Sequence, residues 1–121
     1  MDIVDIIYIE DEDTIALIFK LGLTPYHINV LHLPDIQPEN LALLDTPPYQ
    51  TARALFFDLW VNGVSGLDLA QQLREKGDQR PFFLLTAGEN PDSNILKQIN
   101  MTFIQKPVGN FRKLAEMIRA L

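Results

Sequence analysis

A chain of 121 residues with 47% hydrophobic residues and no cysteine fits one domain that buries roughly two thirds of its unfolded surface. It excludes disulfides, thiolate metal sites and a cysteine nucleophile. A formal net charge of −6 repels nucleic acid and anionic membrane, so neither is expected as a direct partner. The opening MDIVDIIYIEDED has acids where a secretory leader needs a basic region, and no apolar run approaches the ~20 residues that span a bilayer. A cytoplasmic location is expected.

The predicted elements alternate. Residues 2–9 are short and β-branched, a strand; 14–23 run too long for a strand and end near Gly22, a helix stop. Residues 27–33 alternate as a second strand, and two prolines make LPDIQP a loop. A short helix is predicted at 39–45, closed by TPPY, and a third strand at 52–59. Leu67, Ala70 and Leu73 share one face of a helix over 66–77 that stops at Gly77. Residues 81–88 form a continuous apolar run, the kind buried on both sheet faces. A helix at 92–100 has Asp92 or Ser93 as its cap, a last strand covers 101–107, and Phe111, Leu114, Ile118 and Leu121 recur at helical spacing in 110–121.

Strands alternating with helices predict a single α/β domain over residues 1–121, with a parallel sheet and helices on both faces. In such sheets the site lies at the carboxyl ends of the strands. The first strand ends in Glu10 and Asp11, the third in Asp58, the fourth in Thr86, and the fifth in Lys106 before Pro107. Each alone reads as an ordinary turn or solvated residue. Together they are coherent. Three converging carboxylates require a cation, and oxygen ligands without Cys or His suit Mg²⁺. Lys106 adds a second positive charge and the Thr86 hydroxyl a donor for phosphoryl oxygens. A carboxylate so surrounded can attack phosphorus and hold an acyl phosphate. His27 and His32 have no partner at metal spacing and read as edge or core histidines, and no glycine-rich phosphate loop is present.

This ordered set resembles the receiver domain of two-component response regulators over essentially the whole chain. IIYIEDED resembles its acidic pocket segment, FFDLWVNGVSGLDLAQQLR its phosphoacceptor segment with the glycine eight positions on (Gly66), FFLLTAG its Thr/Ser strand with small Ala87 following, and FIQKP its Lys-Pro strand end. The resemblance implies a five-stranded, doubly wound, flavodoxin-like (βα)5 fold of strand order 2-1-3-4-5. It implies that Asp58 accepts a phosphoryl group from a sensor histidine kinase or phosphotransfer protein, and that Glu10, Asp11, Asp58 and the Trp60 backbone carbonyl hold Mg²⁺. Lys106 would pair with the phosphoryl oxygens, Thr86 would close onto them, Phe103 would pack inward, and the Lys106–Pro107 peptide would be cis. Such a domain is a regulator with self-catalysed phosphotransfer and dephosphorylation, not an enzyme acting on a separate substrate. It signals to a downstream effector protein or domain through the 92–121 face, through which a homodimer is also expected.

The sequence departs from the family at Asn62, where a proline is usual, and at Asn100 and Met101, where the family has Gly-Ala. The segment between Thr86 and Lys106 is short. Trp60 and Gly88 stand where the family tunes loss of the phosphoryl group; bulky Trp60 is expected to hinder the attacking water. Two other readings compete: a receiver that only docks and is never phosphorylated, and a phosphohydrolase of the haloacid-dehalogenase type using Asp11 of the DED at 11–13, which leaves Asp58 without a role and lacks the acidic pair expected after the Lys, only Glu116 following.

Overall fold

The first strand, β1 (Ile6–Ile9), is buried at every residue, because a parallel sheet is covered on both faces. It lies between β2 (Val30–Leu33) and β3 (Ala54–Asp58), and β4 (Phe82–Thr86) and β5 (Met101–Gln105) extend the sheet in the order β2-β1-β3-β4-β5, all parallel. This is the doubly wound, flavodoxin-like order that the resemblance implied. The computed structural model describes residues 4–88 and 91–121; the first two residues of the strand predicted at 2–9 lie outside them.

The twofold period of the strands sorts their side chains onto two faces. Ile7, Ile9, Leu55, Phe57, Phe82 and Leu84 pack with Leu69, Ala70 and Leu73 of α2 (Gly66–Glu75) and Leu96 of α3 (Ser93–Gln98). Ile6, Tyr8, Phe56, Phe83 and Leu85 pack with Ala16, Phe19 and Leu23 of α1 (Asp13–Leu23) and Leu114, Ala115 and Ile118 of α4 (Phe111–Arg119). Phe56 and Phe83, register partners on adjacent strands, stack with centroids 4.5 Å apart, a pair worth about 1 kcal/mol beyond its burial.

Two segments differ from the sequence-based expectation. Residues Pro38–Asp45 form a 3-10 helix, not the α-helix predicted at 39–45. Its buried residues, Leu41 and Leu44, are three apart, which puts them on one side of a helix with three residues per turn. Between β3 and α2 the chain forms a hairpin, Trp60–Val61 against Val64–Ser65. Asn62 and Gly63 at its tip have φ of 48° and 78°, the paired left-handed conformation of a two-residue Asn-Gly turn. The residue standing at the family's usual proline thus makes this turn. Likewise Asn100 (φ 52°) makes the left-handed turn into β5, a conformation Asn tolerates better than other non-glycine residues. Asp92 is the N-cap of α3, accepting from Asn94 N–H at 2.8 Å.

The two ends of the sheet use polar groups differently. At the amino ends, arginines occupy backbone carbonyls: Arg74 takes those of Asp78, Arg80, Ile99 and Asn100, Arg80 those of Leu44, Tyr49 and Ala52, and Arg53 those of Ile118, Arg119 and Leu121. Those bonds hold loops and a helix end in place. The carboxyl ends carry acids and a lysine instead.

Candidate functional site

Three buried, apolar strands, β1, β3 and β4, end at the site in polar side chains. Glu10, directly after β1, is 1% exposed, and Thr86, closing β4, is also buried. Asp11 is exposed and Asp58 half-buried. Glu10, Asp11 and Asp58 offer carboxylate oxygens that all lie within 4.8 Å of one another. Lys106 follows β5 and reaches into this group, with its Nζ 2.6 Å from Glu10 Oε2 and 2.9 Å from Asp58 Oδ1. Its own N–H donates to the Thr86 carbonyl at 2.9 Å, and the Lys106–Pro107 peptide is cis.

Gly66 lets β3 and α2 come together. A Cβ there would overlap the Asp58 carbonyl oxygen, and the Gly66 N–H donates to the Leu59 carbonyl at 2.7 Å. The glycine eight positions after Asp58 is therefore a packing requirement. Asp11 Oδ2 accepts the Asn62 N–H at 3.0 Å, and Asn62 Nδ2 donates to Asp35 Oδ1, also at 3.0 Å. The hairpin tip thus joins the loops after β1 and β2.

Three carboxylates against one ammonium leave the cluster two charges negative when all are ionised. Burial, the largest influence on Glu10, raises its carboxyl above the usual range, with the Lys106 ion pair opposing. Burial works against the Lys106 charge too, but hydrogen bonds and attraction from Glu10 and Asp58 outweigh it and hold its pKa above the ordinary value. A cluster of oxygen donors with excess negative charge and no soft ligand fits a hard divalent cation.

Of the other residues predicted to act, Trp60 pairs with Ser65 in the hairpin and is 54% exposed. Phe103 is half-buried on the α2/α3 face, opposite Leu84 in register, and is not part of the carboxylate group. His27 is exposed at the end of a 3-10 turn. His32 donates from Nε2 to the Glu10 carbonyl at 2.6 Å, so it braces the site. Sequence reasoning missed three supporting residues: His32, Asn62 and Tyr8, whose hydroxyl donates to Glu10 Oε2 at 3.0 Å. Signals for the last two were present. Asn-Gly between apolar residues marks a hairpin, and Tyr8 stands two before Glu10 on the same face of a strand.

No protein-family model matches the chain. Its fold does match solved structures closely. The Vibrio cholerae chemotaxis protein CheY4 superposes with a TM-score of 0.76 at 16% identity, covering 98% of both chains. A response regulator receiver domain from Clostridium thermocellum gives 0.75 at 21% identity, covering 97% of this chain and 92% of that one. The receiver domain of a signal transduction histidine kinase from Syntrophus aciditrophicus gives 0.74 at 21%, covering 97% and 88%. The chain therefore has the receiver-domain fold.

Proposed function

We propose that this chain is a receiver domain whose Asp58 accepts a phosphoryl group from the phosphohistidine of a sensor histidine kinase or phosphotransfer protein. The observation that carries the reading is Lys106 bridging Glu10 and Asp58 beside a third carboxylate, at the carboxyl ends of a sheet with this strand order. An Asp58 oxygen attacks phosphorus as the P–N bond to the donor imidazole breaks; the other ring nitrogen of the donor carries a proton, so the imidazole leaves neutral, and Asp58 becomes an acyl phosphate. Glu10, Asp11, Asp58 and the Trp60 carbonyl would hold Mg²⁺, which supplies positive charge for the phosphoryl oxygens. Lys106 stays protonated and exchanges its carboxylate partner for phosphoryl oxygens. Thr86, at the next position along the neighbouring strand, donates its hydroxyl to them. Phe103, on the edge strand β5, packs inward as Thr86 moves, and the altered 92–121 face is read by a downstream effector or a second copy. Trp60 shields the acyl phosphate from water, so Trp60→Asn should shorten its lifetime.

The donor's approach is supported by an apolar surface beside the site. Ile15 and Ile18 of α1, with Ala87, Lys106 and Pro107, line a cavity of about 300 Å³. Beside it Leu17 is 54% exposed and Ile18 and Leu21 59% each, and neighbouring exposed apolar residues on one helix offer surface that a protein partner can bury.

The reading is tested by incubating the chain with Mg²⁺ and acetyl phosphate and mapping any adduct by intact mass and peptide analysis. An adduct on Asp58, absent from Asp58→Ala, is expected. An adduct on Asp11 would mean a phosphohydrolase mechanism, and no adduct would mean a module that only docks.

A further inference from the structure

Tyr8 is fully buried in β1, with its ring 4.5 Å from that of Phe19 on α1. Its body belongs to the aromatic core and its tip to the site. A phenol held this way cannot turn to water and needs a fixed acceptor. It finds Glu10 Oε2 at 3.0 Å, the same oxygen that takes Lys106 Nζ at 2.6 Å. A carboxylate oxygen has about two lone-pair directions, so these two donors occupy Oε2. Oε1 receives only the Glu12 N–H, at 3.3 Å.

We infer that Tyr8 is a positioning residue that sets cation specificity, by restricting Glu10 to a single oxygen for a bound divalent ion. Mg²⁺ requires near-octahedral geometry and takes carboxylates through one oxygen, whereas the larger Ca²⁺ accepts both oxygens of a carboxylate in a flexible shell. Holding Oε2 between a phenol and an ammonium denies Glu10 the two-oxygen mode. It also fixes the side chain, as partners behind a metal ligand do elsewhere. Lys106 alone would leave one lone pair of Oε2 open to the ion, and the phenol, locked by packing, closes it.

This inference rests on reading the carboxylate cluster as an ion site, and one titration separates the two. Mg²⁺ and Ca²⁺ binding would be measured by calorimetry on the wild type, on Tyr8→Phe, which keeps the ring, and on Phe19→Leu, which disturbs the same packing but keeps the phenol. Tyr8→Phe is expected to lower the ratio of Ca²⁺ to Mg²⁺ dissociation constants by about tenfold, while Phe19→Leu leaves it within about twofold of wild type. A residue with only a packing role would change melting temperature and not this ratio. A Tyr8→Phe ratio within about twofold of wild type would overturn the role of Tyr8 alone. A wild type that binds neither ion at millimolar concentration would overturn the ion site itself, and this inference with it.

Discussion

Lys106 crosses from the end of β5 to place its ammonium 2.9 Å from Asp58 Oδ1 at the end of β3, with all of β4 between the two strands. The same nitrogen touches Glu10, so one lysine partly neutralises a buried carboxylate and a half-buried one. Lys106→Met should therefore have opposite effects on two measurements. Without metal the fold should lose about 3 kcal/mol, the usual effect of stripping the partner from a buried charge. Added Mg²⁺ should raise the melting temperature of the variant more than that of the wild type, because the cluster it enters is more negative. Equal Mg²⁺-induced shifts would mean that Lys106 does not set the charge of the site.

Glu10 predicts a pH effect with a definite sign. Its folded pKa is raised, chiefly by burial. A carboxyl with a raised folded pKa stabilises the fold while protonated, so its contribution is complete below the unfolded value of about 4.3 and is lost as pH rises through the folded value. The raised pKa of Lys106 acts only in the alkaline range. In EDTA, the stability of wild type minus that of Glu10→Gln should fall as pH climbs from acid to neutral, read from urea midpoints. A difference that grows with pH would show that the ion pair outweighs burial.

Gly66 and Gly109 make a matched pair. A methyl group at Gly66 meets the Asp58 backbone carbonyl, while nothing lies within 4 Å of one at Gly109. Gly66→Ala should destabilise by about 2 kcal/mol or more, since backbone rather than a mobile side chain must yield. It should also slow acetyl phosphate labelling by displacing Asp58. Gly109→Ala should stay within about 0.5 kcal/mol of wild type. Denaturation and mass spectrometry on the two variants check both statements.

The exposed face of α1 separates donor docking from chemistry. Ile18→Glu adds a charge where a partner helix would bury apolar surface, yet Ile18 contributes nothing to the carboxylate cluster. Labelling by acetyl phosphate should be unchanged, while transfer from a phosphohistidine protein should fall by about tenfold or more, the effect of about 1.4 kcal/mol or more of lost docking energy. Equal loss with both donors would assign Ile18 to the site's structure instead.

Much of this was legible in the chain. Continuous apolar runs ending in Glu10, Asp58 and Thr86 marked the strands and the end where polar side chains gather, because burial on two faces demands apolar bodies. Less legible were the segments whose form depends on what they pack against. Residues 38–45 carry a helix-like composition, yet they take the tighter 3-10 form that turns Leu41 and Leu44 inward together.

The sequence by itself determined the alternation of elements and the identity of each strand-end residue, since both follow from local periodicity and residue chemistry. Only the tertiary structure decided which of those residues share a hydrogen bond. Lys106 and Glu10 are 96 positions apart, and no local pattern specifies that they meet. Their contact follows from strand order, from the register that brings β1, β3 and β5 to a common edge, and from Gly66 letting α2 close against β3. Tyr8 makes the same point at short range. Its place two residues before Glu10 was in the sequence, but the aromatic packing that holds its hydroxyl on that carboxylate exists only once α1 covers the sheet.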